Sequence, residues 1–360
     1  MRYRRACLAD LLGDSVAYRS LRPQDPRLPG LPELREELGL GDGIPRKGTR
    51  DYARVVIRIL AAAQRLRGEE LRRVVYLGDT RHNDGRTIAA LGEFAPVRGF
   101  IAAEERGAPP AWEVREGVMY ANRWGLIARF REWLGGDFPL EGGTAVVVDL
   151  DKTAFGARGR NSGPVDAARV AAAERIAGSV LGGEFDREGF RRAYRELNDP
   201  RYHRFTGDNQ DLVVFAALVV ASGAYALERL ADAVSAGRIR SFPEFLAACE
   251  GLPPGLAGLR EEVAGALARG DPTPFKAFRR LEYEETLARM DVHPDGTPPE
   301  RVLTEEIVIT PEVWEFAEEA RAAGALLFGL TDKPDEASLP PPGREGPPLH
   351  RARMKVLGVA

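Results

Sequence analysis

Cysteine is nearly absent from this chain: Cys7 and Cys249 are the only two in 360 residues. They lie far apart and without metal-ligand spacing, which argues against a disulfide framework or a structural zinc site and fits a reducing cytoplasm. A surplus of one charge is missing too. The formal net charge is −3 with both signs interspersed, so no electrostatic case exists for nucleic acid or an anionic membrane as partner. No apolar run reaches the ~20 residues of a bilayer span. The most apolar stretch, Leu212 to Leu227, contains Ser222 and Gly223 and reads as a buried helix. The basic start, Met1-Arg-Tyr-Arg-Arg, is not followed by an apolar segment, which argues against a secretory signal. Strand-linked G-x-G-x-x-G and Walker A loops are lacking as well. The nearest run, Gly41-Asp-Gly-Ile-Pro-Arg-Lys-Gly, has no glycine before its lysine.

What is present is a globular composition, 44% apolar, at a length that allows two domains or one core with a large insertion. Residues 1–46 are rich in Pro, Gly and charge and read as loops around short elements such as Pro32–Leu38. From Asp51 to Leu66, Tyr52, Val55, Val56, Ile59 and Leu60 recur at helical spacing. Arg73–Leu77 is a β-branched run ending at Gly78-Asp79, a buried strand running into a tight loop. A helix over Gly85–Leu91, a strand over Gly99–Ala103 and a helix over Asn122–Leu134 follow. Ala145–Val148 is an uninterrupted apolar strand of the kind buried on both faces of a parallel sheet. From about Val165 to Met290 the pattern is helical. Thr310-Pro311 then signals a helix start, and Gly324–Leu330 another buried strand. Strands alternating with helices, interrupted once by a helical block, predict an α/β fold: a Rossmann-like parallel sheet core with a helical insertion.

The chemistry-bearing residues fall at strand ends. Asp149 and Asp151 follow the strand Ala145–Val148, at the carboxyl edge where open α/β sheets place ligands. Two like charges so close favour a shared cation such as Mg²⁺, and one carboxylate can attack phosphorus while the other moves a proton. A pair of caps after a strand would give the same two letters. Gly78-Asp79-Thr-Arg-His-Asn-Asp84 is a second acidic loop at a strand end, able to complete an oxygen shell around a hard ion or simply to turn into a helix. Thr331, after Gly329-Leu330, offers a hydroxyl and free backbone N–H groups to a phosphate oxygen, or caps a helix. Lys47, in Ile44-Pro-Arg-Lys-Gly, is a cation that offsets phosphate charge, or is solvated surface.

Together these four pieces resemble the haloacid dehalogenase-like (HAD) hydrolase superfamily, phosphatase type. Asp149-Leu-Asp151-Lys-Thr153 is similar to motif I, with Asp149 as nucleophile and Asp151 as acid/base. Thr331 resembles motif II, Lys47 motif III, and Gly78-Asp79 through Asp84 motif IV, whose acids hold Mg²⁺. The resemblance implies a metal set of Asp149, Asp151 (through its backbone carbonyl), Asp79 and Asp84, with Asp79 as the more direct of the last two. The order departs from the family: III, IV, I, II rather than I, II, III, IV. Reading on from Asp149 through Ala360 and back from Met1 restores it, which implies a circularly permuted core. Lys333 and Lys355 are the other candidates for the motif III cation.

The expected division is a core over 1–155, a helical C1-type cap over 156–305, and the rest of the core over 306–360. Thr153, Arg158, Arg160 and Asn161 follow motif I closely and are candidates to meet the substrate, with solvated surface the competing account of the arginines. His82 reads as incidental, and Tyr202–Asp211 as a helix-start loop or a substrate-reading segment. The functional expectation is an Mg²⁺-dependent phosphomonoester hydrolase acting on a small phosphorylated metabolite through an aspartyl-phosphate. A phosphotransferase or mutase using the same residues, and a non-catalytic ligand-binding protein of this fold, are the alternatives. Dehalogenation has no need of the acid that Asp151 supplies.

Overall fold

Apolar β-branched runs buried on both faces build the centre of the molecule. In the computed structural model, which describes residues 3–182 and 185–358, nine strands form: β1 (Tyr3–Ala6), β2 (Val16–Ala17), β3 (Arg73–Gly78), β4 (Val97–Ala102), β5 (Trp112–Arg115), β6 (Val118–Ala121), β7 (Thr144–Asp149), β8 (Leu326–Leu330) and β9 (Met354–Leu357). Seven of them make one sheet in the order β2-β8-β7-β3-β4-β6-β5. Every pairing in it is parallel except the β5–β6 hairpin. β1 and β9 pair antiparallel in a separate two-stranded sheet, Tyr3 opposite Leu357 and Ala6 opposite Met354. The fold is therefore α/β, with a mostly parallel sheet.

Register fixes what meets at the carboxyl edge. Asp149 lies opposite Leu330, and Leu77 opposite Val148, so the residues that follow β3, β7 and β8 emerge side by side. β2 adds Ala17 opposite Leu330. One face of the sheet is covered by the helix Arg50–Leu66. Its Tyr52, Val55, Val56, Ile59 and Leu60 pack with Val74, Tyr76, Ala145, Val147 and Phe328. Burying such a face of medium and large apolar side chains supplies about 1.5–3 kcal/mol per residue before entropy is counted.

The chain divides into two compact units, one made of residues 1–167 and 286–360, the other of Ala168–Glu285. Residues 156–167 and 286–305, placed with the helical block on sequence grounds, group with the sheet instead. A hydrogen bond from Gly156 N to Val308 O (2.9 Å) and a backbone bridge between Met290 and Ile307 tie them there. The second unit is all helix around its own apolar core, with Gln210–Ala221 buried almost all round. Inside it Arg279 pairs with Asp211 (2.9 Å) and Glu282 (2.6 Å). Asn209 caps the buried helix by accepting from Asp211 N, and a short helix, His203–Thr206, precedes it in the segment Tyr202–Asp211. No helix among the described residues is long and apolar enough to cross a membrane.

Candidate active site

Lys47 reaches the sheet edge because the chain around it is tightly fixed. Thr49 caps the helix Arg50–Leu66, its Oγ1 accepting from Tyr52 N (3.3 Å) and donating to Arg46 O (2.7 Å). Gly48, at φ +79°, makes the turn between them, where an added Cβ would lie 2.9 Å from the Arg86 side chain. The ammonium lands 2.7 Å from both Asp84 Oδ1 and Asp149 Oδ1, with the side chain only 8% exposed. The other two candidate lysines meet other carboxylates, Lys333 that of Asp151 within the same site. Lys355 is fully buried against Glu306 (2.7 Å), and Lys333 lies 3.7 Å from Asp151.

Asp79, Asp84 and Asp149 form a buried carboxylate cluster, with one oxygen from each lying within 4.8 Å of the others. Asp84 is its anchor. It folds back beneath the end of β3 where Gly78 leaves room: a Cβ at Gly78 would stand 2.6 Å from Asp84 Cγ. Its Oδ2 accepts from Asp79 N (3.0 Å), Thr80 N (2.8 Å) and Thr80 Oγ1 (2.8 Å), its Oδ1 from Tyr76 OH (3.0 Å) and Lys47. Those donors exhaust the roughly four lone-pair sites of a carboxylate. Asp84 thus orients the loop and Lys47, and the oxygens left for a cation belong to Asp79 and Asp149. Each of these two is held through one oxygen, Asp149 by Lys47 and Asp79 by Arg158 Nε, and the second oxygen has no hydrogen-bond partner among the described residues. An all-oxygen, anionic donor set of this kind fits a hard divalent ion such as Mg²⁺.

Electrostatics follow from three buried anions around one ammonium. Burial favours neutral Lys47, but Asp149 and Asp84 outweigh it and hold the ammonium charged. Burial also raises Asp84, yet Lys47 and the Thr80 hydrogen bonds win and bring it down to about 2. The surplus negative charge then falls on the other two. Burial, with Asp84 beside it and Arg158 opposing, pushes Asp79 up to about 7. Burial likewise pushes Asp149 well above the carboxylate range; Lys47 opposes the shift, and Asp84 and Asp79 add to it. Without a cation the pair Asp79–Asp149 therefore has a strong tendency to hold a proton.

After Asp149 the chain makes one turn, Ala154 N to Asp149 O (3.1 Å) and Phe155 N to Leu150 O (3.2 Å), with Lys152 at φ +64°. Asp151 stands on this turn, partly open and next to Lys333. Thr331 follows β8 directly. Its N donates to Ala17 O (3.2 Å) and its hydroxyl accepts from Lys333 N (3.2 Å), leaving the hydroxyl hydrogen without an acceptor among the described residues. Thr153 Oγ1 is buried without a hydrogen-bond partner among the described residues.

Two residues proposed to meet the substrate are used by the fold. Arg160 makes a bidentate pair with Glu312, 2.7 Å on each arm. Asn161 is buried and holds a strap of backbone: Nδ2 donates to Leu303 O (2.7 Å) and Glu306 O (2.8 Å), and Oδ1 accepts from Val308 N (3.0 Å). Asn161 has no donor left for a phosphate, and Arg160 is held in place by Glu312. Arg158 differs, since its guanidinium rests on Asp79 at the rim. His82 is exposed ahead of the helix Asn83–Leu91.

Sequence reasoning missed Tyr52. Its hydroxyl is buried and has no hydrogen-bond partner among the described residues, and its phenol lies among the charges of Lys47, Asp332, Asp149 and Asp84. The signal available was a phenol, rather than a plain apolar ring, on the first turn after Lys47. Against protein-family models, curated proteins and solved structures, the chain finds no match.

Proposed function

We propose that this chain is a phosphomonoester hydrolase of the HAD type with a circularly permuted motif order, working through an aspartyl-phosphate on Asp149. The observation that carries the reading is Lys47, bound at 2.7 Å to Asp149 and to Asp84 although it lies 102 residues from Asp149 in sequence. Lys47, Asp79, Asp149 and Thr331 come from four separate segments, and all four segments end at one sheet edge. The pairing of Tyr3–Ala6 with Met354–Leu357 supports the permuted reading, because little chain would be needed to close the ring there.

In the first step an Asp149 carboxylate oxygen bonds to phosphorus as the ester P–O bond breaks, and Asp151 gives its proton to the departing oxygen. In the second, Asp151 takes a proton from water as the water oxygen attacks phosphorus, freeing phosphate and Asp149. Lys47 opposes the upward push of burial on Asp149 and faces the negative charge of the transferring group, and the Thr331 hydroxyl donates to one of its oxygens. Mg²⁺, held by Asp79 and Asp149 with the Asp151 backbone carbonyl implied by the resemblance, would supply the positive charge that lets two buried carboxylates and a phosphate share one pocket.

The test is phosphate release from sugar, nucleotide, amino-alcohol and organic-acid phosphates, with Mg²⁺ and with chelator, for wild type and Asp149→Asn. Release that requires both the metal and Asp149 is the expected outcome. Equal inertness of the two proteins across the panel would refute hydrolysis.

A further inference from the structure

Asp79 faces two ways. On one side it belongs to the carboxylate cluster; on the other it lines a cavity of about 370 Å³ formed by the end of β4, the loop after it and the β5–β6 hairpin. That volume is within the usual range for small-molecule sites. Its walls carry Trp112, Tyr120, Arg81, Glu105 and Glu113.

Trp112 is 52% exposed, an uncommon position for so large an apolar ring, and it sits on the cavity wall. Tyr120 has one face taken already by the Arg81 guanidinium, 4.3 Å from the ring centre. Arg81 is itself paired with Glu113 (2.8 Å), which also holds Arg115 (2.7 Å). Two of the cavity's carboxylates are already neutralised, Asp79 by Arg158 and Glu113 by Arg81 and Arg115; Glu105 stands without an ion pair among the described residues, beside the exposed Trp112 indole. A second anionic group on the substrate would face the unpaired Glu105 carboxylate, and the lining guanidinium, Arg81, is already held by Glu113. An ammonium group would meet an indole face and an unpaired carboxylate, the two features that favour cation binding.

We propose that this cavity is the leaving-group subsite, and that the substrate is the phosphate monoester of an amino alcohol whose ammonium lies against Trp112 and Glu105. The proposal rests on the phosphatase reading above. Hydrolysis would release the amino alcohol and inorganic phosphate, with the P–O bond broken and the proton transferred as already described.

The experiment compares kcat/KM for O-phosphoethanolamine, glycerol 3-phosphate and a nucleoside monophosphate, with acetyl phosphate as a substrate too small to use the subsite. It is run on the full chain in Mg²⁺ for wild type, Trp112→Ala and Glu105→Gln. Both variants change exposed side chains outside the catalytic cluster. The expected result is a preference of about tenfold or more for phosphoethanolamine over glycerol 3-phosphate, lost in both variants while acetyl phosphate turnover is unchanged. Equal use of the two esters, or variants without effect on them, overturns the subsite while acetyl phosphate turnover leaves the phosphatase standing. A preference for the nucleotide that depends on Trp112 overturns the ammonium assignment. If wild type does not turn over acetyl phosphate or any ester, the phosphatase reading falls and the subsite with it.

Discussion

Replacing Lys47 by Met removes an ammonium from between two carboxylates while nearly preserving side-chain length and volume. The ammonium lies 2.7 Å from Asp84 Oδ1 and 2.7 Å from Asp149 Oδ1 in a site almost closed to water. At an effective dielectric of about 20, each contact of this kind is worth ~4 kcal/mol or more in gross Coulomb terms. Much of that offsets desolvation, and the measured cost of breaking a buried pair is about 3–5 kcal/mol. For a unit of this size each kcal/mol moves the melting temperature by about 2–4 °C, so Lys47→Met should melt roughly 6–20 °C lower in chelator at about pH 8. Asp149, already pushed upward by burial, can relieve the strain by taking a proton, at ~1.4 kcal/mol per unit of pH. The deficit should therefore shrink at about pH 5. Lys47→Met combined with Asp84→Asn removes one of the buried carboxylate charges left without a counter-ion and should regain about 1–3 kcal/mol over the sum of the single changes. Scanning calorimetry of the four proteins at both pH values measures all of this. A single variant within about 1 kcal/mol of wild type at pH 8, or a strictly additive double variant, would refute the buried three-centre arrangement.

Tyr52→Phe should stabilise the ligand-free protein by about 1 kcal/mol, because it deletes a buried hydroxyl that has no partner among the described residues. It should also lower kcat/KM about tenfold if that hydroxyl donates to the bound phosphoryl group; unchanged kinetics would show that it does not. The metal-free pH profile has a definite sign. Asp79, raised from 3.8 to about 7, keeps a proton in the folded chain that the unfolded chain has already lost, so stability declines as pH rises from about 4 to about 7. Asp84, held at about 2, contributes stability that is present above about 4 and lost as pH falls toward 2. Saturating Mg²⁺ should flatten the decline between pH 4 and 7 by taking the proton's place on Asp79. Urea titrations at about pH 5 and about pH 8, with and without Mg²⁺, check this, and equal metal-free stability at the two pH values would refute it.

The parts legible in the sequence are those whose physics is local. The helix Arg50–Leu66 was readable from the spacing of Tyr52, Val55, Val56, Ile59 and Leu60, and β3, β7 and β8 from short apolar runs that end in Gly-Asp, Asp and Thr. The hairpin was not readable. β5 carries Trp112 and Arg115 on an exposed edge, and the chain turns through Glu116 and Gly117 at φ +50° and +77° rather than through an Asn-Gly or Asp-Gly pair. The helix expected from Asn122 begins at Ile127, because Asn122 still serves the hairpin by accepting from Ala111 N. β1 and β9 hide behind charged letters. Lys355 lies in a strand with its charge buried on Glu306, and nothing close in sequence indicates that partner. Arg160 and Asn161 read as substrate candidates because their real partners are remote: Glu312 and the strap 303–308 lie 142 or more residues away.

The sheet also sets an order in time. β2 pairs with β8, and Tyr18 just beyond β2 bonds the ring of His350, 332 residues later. At ~5–20 residues per second of synthesis, the N-terminal strand waits on the order of 20 s to 1 min for these partners to exist. The helical unit Ala168–Glu285 is contiguous in sequence and is complete well before then. During that interval the nascent chain holds β7 and β3, with their buried carboxylates, beside an open sheet edge awaiting β8. Such an edge invites pairing with another chain. Slow or interrupted translation after Glu285 is therefore the point at which this protein is most exposed to aggregation, and a chaperone that shields strand edges would act there.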